Sequence, residues 1–419
     1  WSLYRVMKLN FGLATTWKAY GYNVDNIQSL IRATDDHTLV IDLPQVMDPL
    51  LLVDSLAISP SAVVVDRVTA LAHEKNGDLG AGWLVTNEAG SGPFVLTKWS
   101  ANDSLLLTRF DGYWGGAAKL KRVVVRHMTE SQSLRLMLER GDLDLAYGMA
   151  APDIRAIDGS PKLQVQSLPR GTMYYVAMSM KQPEFAKPKV REAVRNLIDY
   201  KGLDEQVMPY YGKLNQQPMQ LSLEARLPDP GYHMDVAEAK KLLAEAGYPQ
   251  GFTTTIRTLS EPPFIDIAAR LQSTLAEGGI KASIVTGTGN QVYGAMRARN
   301  FDIIVARGAE RYPHPYFSLR TFVYNPDNSD DAGLPNFQGW RASFFSPQIN
   351  SLIDKAGVER DASQRVSLYH QAQNLYDQEV GPIMMISQMT DTVVSASDIK
   401  GFTGDDAEAT RYLGVYKER

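Results

Sequence analysis

Between residues 188 and 306 the spacing of apolar residues switches repeatedly between helical and strand period, and this limits the possible folds more than any other feature. Pro188 to Tyr200 carries Val190, Ala193, Val194, Leu197 and Ile198 on one helical face. Asp235 is placed to cap a helix holding Ala239, Leu242, Leu243 and Ala246, closed by Gly247. Phe264, Ile267, Ala268, Leu271 and Leu275 mark a longer amphipathic helix that stops at Gly278-Gly279. Ile280, Ala282 and Ile284 then alternate as a strand. A helix near Gln291–Arg299 precedes the apolar run Phe301–Ala306. Such a chain buries its strands by packing helices on them, so the expected class is α/β with mixed sheets.

The first part reads as richer in strands. Thr38 to Leu43 follows the turn signal Asp35-Asp36. Pro93–Trp99, the turn Ala101-Asn102-Asp103 and Ser104–Arg109 predict a hairpin, and Lys121–His127 a further strand. Ser131–Arg140 predicts a helix ended by Gly141. Gly308 to Gly339, with four prolines and the acidic run Asp327–Asp331, reads as one long loop. A helix at Gln364–Gln378 and the apolar segment Ile383–Ile386 follow. Without a repeat or a flexible linker, the domains are expected to interleave in sequence.

The 419 residues contain no cysteine, which removes disulfide frameworks, thiolate metal sites and thiol nucleophiles. This suits folding in an oxidising space. The net charge of −4 gives no basic excess for a phosphate backbone, so nucleic acid is not an expected partner. No apolar run is long enough to span a membrane. The opening Trp1-Ser2-Leu3-Tyr4-Arg5 reads as a processed, trimmed or incomplete N-terminus.

A search for catalytic motifs returns nothing specific. Ser91 lies between Ala89 and Pro93 at the positions a nucleophile elbow needs as glycine. Gly287-Thr288-Gly289 begins like a dinucleotide fingerprint but reads better as a strand-end turn, with Val292 where glycine belongs. His37, His73, His127, His233, His314 and His370 share no metal-binding spacing. Asp142 and Asp144 sit two apart; they read as an acid pair or, more simply, as a solvated turn. Lys119, Lys121, Arg122 and Arg126 read as a solvated strand face.

Six segments, in order, resemble the solute-binding proteins of ABC importers for peptides, nickel chelates and related solutes, family 5. Gly90-Ser91-Gly92-Pro93-Phe94 followed by Trp99 is similar to that family's G-[ST]-G-P-[YF] turn and strand. Arg109–Gly116 resembles R-N-x-x-Y-W-x-G, and Gly141-Asp142-Leu143-Asp144 resembles G-E-[IVL]-D. Pro183-Glu184-Phe185 with Val190–Val194 resembles P-x-F-x-x-x-x-V-R-x-A. Ala239–Tyr248 resembles A-K-x-L-L-x-E-A-G-[YF], and Trp1–Arg5 the middle of D-V-x-[FW]-S-x-x-R.

The resemblance implies a two-lobe periplasmic-binding-protein fold with mixed sheets, a hinge and an extra subdomain on lobe I. Lobe I would cover 1–176, without its first strands, lobe II 177–389, and 390–419 would return to lobe I. The chain would cross between lobes near Met173–Ser179 and Ile386–Val394. The implied function is an extracytoplasmic receptor, periplasmic or a surface lipoprotein. It would enclose a peptide or another small polar solute and pass it to the ABC permease. A monomer without cofactor or metal is expected. A hydrolase using distant carboxylates, and a signalling or adaptor module on the same fold, stay open as alternatives.

In similar proteins the loop after the strand matching Phe301–Ala306 carries W-x-x-D-x-x-x-P, and its acid holds a peptide's α-amino group. Here Arg311 stands at the acid position, Gly308 at the tryptophan, and Glu310 one residue out of register. Arginine favours carboxylate or phosphate and repels an ammonium, so an anionic or neutral group is expected there. Glu310 swinging in to take an amine is the competing reading. Tyr312, Trp340 and Arg341 are further candidates for the cleft, with Tyr174 and Tyr175 at the first crossing and Arg257 at a strand end. His314 alone is a poor site for a bare metal ion.

Overall fold

Period-two segments bounded by turn residues pair as strands throughout the molecule. The computed structural model describes residues 1–10, 14–58, 60–309, 313–403 and 412–418. They form two units, one of residues 1–168 with 392–419 and one of residues 169–391.

In the first unit, β1 (Ile31–Ala33) pairs antiparallel with β2 (Leu39–Ile41). The predicted hairpin is present as β3 (Phe94–Ser100) and β4 (Ser104–Arg109), with a register shift between Leu96 and Lys98. β5 (Arg122–Arg126) completes this antiparallel sheet. Helix α1 (Ser131–Arg140) buries Leu134 and Leu138, one turn apart, and ends at Gly141 with φ 79°. An L side chain is disfavoured at that left-handed angle, and the glycine lets the Gly141 N–H reach back to the Leu138 carbonyl. β6 (Leu145–Tyr147) follows, then β7 (Leu163–Met178), within which the chain passes from one unit to the other at Leu168/Pro169. This lies N-terminal to the change read from sequence at residue 176.

The second unit alternates strand and helix. After α2 (Pro188–Arg195) and β8 (Gly212–Leu214), α3 (Val236–Glu245) opens on Asp235, whose carboxylate accepts the Glu238 N–H at 2.9 Å. Next come β9 (Thr253–Leu259), α4 (Phe264–Glu277), β10 (Lys281–Gly287), α5 (Gly289–Arg297) and β11 (Ile303–Ala309). Gly287 ends β10 and Thr288 caps α5 in a capping box with Gln291, so this segment is a strand-to-helix turn.

The predicted single loop from 308 to 339 instead contains α6 (Pro315–Phe322) and α7 (Gln338–Arg341). Proline at the first position of α6 suits a helix start rather than breaking one, and Ser318, Leu319 and Phe322 face the core. α8 (Pro347–Val358) and α9 (Ala362–Gln378) lead to β12 (Ile383–Ala396), which leaves the unit at Asp391/Thr392. In the first unit its Val393–Ser395 pair with β6, and β13 (Ile399–Lys400) pairs with β14 (Tyr416–Lys417).

Within the second unit the strand order is β10–β9–β11–β7–β12, with β8 against β12. β10, β9 and β11 run parallel, and β7 is antiparallel to β11. Helix α4 buries Phe264, Ile267, Ala268, Leu271 and Leu275 against this sheet. Full burial of each larger side chain is worth about 1.5–3 kcal/mol, so tertiary packing holds this helix more than propensity does.

Candidate functional site

In an open α/β sheet the carboxyl ends of parallel strands are where loops can gather side chains around a ligand. In the second unit those ends are Leu259, Gly287 and Ala309, with residues 172–175 of β7 beside them, since Ala309 lies opposite Thr172, Arg307 opposite Tyr174 and Ala306 opposite Tyr175.

Strand alternation sends the two tyrosines to opposite faces of the sheet, and both are buried. Tyr174 packs edge-on against Phe264 at 5.4 Å, and the Arg307 guanidinium lies 5.5 Å above the same ring. Burial pushes the Tyr174 hydroxyl up to about 12, while the hydrogen-bonded Arg307 charge works the other way. Arg307 itself is exposed at the strand end.

Tyr175 packs against Phe322, and its hydroxyl donates to Gln338 Oε1 at 3.3 Å. The same Gln338 oxygen accepts from Arg341 Nη1 at 3.2 Å, while Arg341 Nε donates to the Pro335 carbonyl at 2.7 Å. Among the described residues, Arg341 Nη2 and Gln338 Nε2 have no hydrogen-bond partner. Burial lowers the Arg341 pKa; the Arg297 charge adds to this and Tyr175 opposes it. Tyr293, on α5, links the two arginines. Its hydroxyl accepts the Arg307 N–H at 3.3 Å and lies in the fields of Arg307, Glu261 and Arg341.

The other candidates are placed as follows. Arg257 is half-buried on β9, opposite Ile304 of β11 and Val285 of β10. His314 is buried, and its Nδ1 accepts the Tyr316 N–H at 3.1 Å, so it caps α6. Trp340 is also buried; its indole donates to the Ser329 carbonyl at 2.9 Å, and Arg299 stacks on it at 4.7 Å. Glu310, Arg311 and Tyr312 lie outside the described residues. Asp144 is exposed and paired with Lys417 at 2.6 Å, which spends one member of the Asp142/Asp144 pair on a surface tie in the first unit. Elsewhere in the second unit, a partly open cavity of about 30 Å³ lined by Arg195, Tyr200, Tyr232 and Asp377 has room for water only.

Sequence reasoning missed Arg307, Tyr293 and Gln338. The available signal for Arg307 was a charge ending an otherwise apolar strand.

Bacterial extracellular solute-binding proteins, family 5, match residues 1–330. The chain belongs to this family. A probable D,D-dipeptide-binding periplasmic protein of Escherichia coli (strain K12) is 25% identical over 375 residues, 89% of this chain and 70% of that protein. A glutathione-binding protein of Pectobacterium atrosepticum is 24% identical over 366 residues, 84% of this chain and 67% of the relative. A periplasmic binding protein of Helicobacter pylori, solved with the peptide STSA, superposes with a TM-score of 0.75 at 23% identity, covering 96% of this chain and 76% of that one. The fold is therefore that of the periplasmic binding proteins. The expected class, α/β with mixed sheets, agrees with it. As a family 5 member the chain is an extracytoplasmic solute-binding component of an ABC importer. No helix among the described residues is long and apolar enough to cross a membrane.

Proposed function

We propose that this protein captures a peptide-sized, small polar solute in the periplasm or at the cell surface and hands it to the transmembrane subunits of its importer. One observation carries the reading of the site. The carboxyl ends of β9, β10 and β11 present hydrogen-bond donors and aromatic rings together, with Arg307 held between Tyr174 and Phe264. Fixed donors and rigid rings recognise a polar ligand without transforming it. The relatives point to peptide-like cargo, one to D,D-dipeptides and one to glutathione. The Arg311 substitution argues against holding a free amine as peptide binders do, and Glu310 is the residue through which an amine would be accepted instead.

Native mass spectrometry of gently purified full-length protein tests the proposal. A single small mass that leaves on denaturation is expected. Protein that stays empty after purification from solute-rich medium, and is stabilised by none of a panel of peptides and peptide-like acids, overturns it.

A further inference from the structure

Most buried or half-buried arginines of the second unit have an acidic partner. Arg195 pairs with Asp377 at 2.7 Å, Arg299 with Asp330 at 2.8 Å, Arg320 with Asp354 at 3.5 Å, and Arg226 and Arg270 pair with Asp229 and Asp199. Among the described residues Arg191 makes no direct ion pair, but it lies in the field of Glu379 and its nitrogens are spread over four backbone carbonyls. Arg341 follows neither pattern. It has one carbonyl, one amide oxygen, a weak 3.9 Å contact of Nη1 with Met296 Sδ and an open Nη2, and its charged neighbour is a second cation, Arg297. A partly desolvated guanidinium beside another positive charge is unfavourable unless an anion is supplied from elsewhere.

We propose that Arg341 and Gln338 form a receiving subsite for a carboxylate or other oxyanion of the solute, with Arg297, Arg307 and Tyr293 around them. This rests on the solute-binding reading above. The donor count supports it. Gln338 Oε1 is taken by Tyr175 and Arg341, so the side chain has only its amide N–H groups left to offer. Tyr293 accepts the Arg307 N–H, which leaves its own proton to give. Among the described residues Arg297, Arg307 and Arg341 stand against one nearby carboxylate, Glu261, so their field favours an anion. The planar fork of Arg341 and the adjacent amide suit two oxygens on one carbon or phosphorus. An ammonium group would meet donors and like charge.

The test uses crystals of the whole chain soaked in sodium selenate, with Arg341→Met and Arg297→Gln beside wild type. An anomalous peak within hydrogen-bond reach of Arg341 is expected in wild type, absent in Arg341→Met and weaker in Arg297→Gln. Arg297 is exposed, so its variant keeps the packing and separates loss of charge from misfolding. Displacement by acetate assigns a carboxylate site, displacement by inorganic phosphate a phosphoryl site, and displacement by neither overturns the proposal. No wild-type peak at Arg341, or an equal peak in Arg341→Met, also overturns it. In solution, Arg341→Met should weaken the co-purifying solute at least tenfold. If the solute binds wild type and Arg341→Met equally, the subsite falls while the solute-binding reading stands. If the protein binds selenate at Arg341 but carries no solute, that reading falls and the subsite stands.

Discussion

Arg299 stacks on Trp340, Arg341 follows that tryptophan in the chain, and their surroundings are opposite. Arg299 is buried with every nitrogen engaged: Nη1 with the Asn328 carbonyl at 2.9 Å and Asp330 at 2.8 Å, Nη2 with Asn328 Oδ1 at 2.8 Å, and Nε and Nη2 with Ser343 at 3.2 and 2.6 Å. Arg341 has three partners, the Pro335 carbonyl, Gln338 Oε1 and the weak acceptor Met296 Sδ, with no carboxylate among the described residues and a cationic neighbour. Both burials cost desolvation. One is offset inside the protein; the other is left for a ligand to offset. The difference separates an arginine that organises the fold from one kept for binding.

The largest expected effect breaks the organising side. Arg299→Met should lower stability by about 3 kcal/mol, because it leaves Asn328 and Ser343 without their buried donor. Urea unfolding would measure it, and a loss under 1 kcal/mol would erase the distinction. By contrast Arg341→Met should change stability by no more than about 1 kcal/mol in either direction, since no internal ion pair is lost. The same denaturation series checks this.

A spectroscopic prediction sharpens the placement of Arg307. Tyr174 titrates near 12 when folded against an ordinary value of 10. Its folded pKa is raised, so its contribution is fully present below pH 10 and is lost as pH rises from 10 through 12. Between those values the stability due to this group should fall by about 1.4 kcal/mol per pH unit. Removing the Arg307 charge by Arg307→Met should move the tyrosinate absorbance transition to still higher pH. An unchanged or lower midpoint would mean that Arg307 does not face Tyr174. The smallest effect is expected from Asp144→Asn. Its bridge to Lys417 is half-exposed, so stability should change by about 0.5 kcal/mol or less and solute affinity not at all. A large loss of affinity would return the acid pair to consideration.

The elements were legible where periodicity was strong. Helix α4 and the strands β10 and β11 follow from Leu271, Leu275, Ile284, Ile303 and their neighbours, because buried faces dictate the spacing. Alternation also decides that Tyr174 and Tyr175 part to opposite faces, but their burial could not be read from two adjacent letters. The stretch from 308 to 339 was misread because Pro315 looks the same as a loop proline and as a helix-opening one. The candidate site was only partly legible. Arg341 was visible as a residue type, but its want of an acidic partner depends on where Asp330, Asp354 and Glu261 fall in three dimensions. Trp340 was a candidate for the cleft and His314 a weaker one, and both are bound to nearby backbone, Trp340 to the Ser329 carbonyl and His314 to the Tyr316 N–H.

The central claim is that the unpaired arginine side of this comparison awaits an anion. It is tested most directly by calorimetric titration of ligand-free protein with the co-purifying solute and with the same compound after its acidic group is converted to the neutral amide. A charge-assisted bond to guanidinium is worth about 1.5–3 kcal/mol, so the amide should bind roughly ten- to a hundredfold more weakly. Equal or tighter binding of the neutral form would contradict the account.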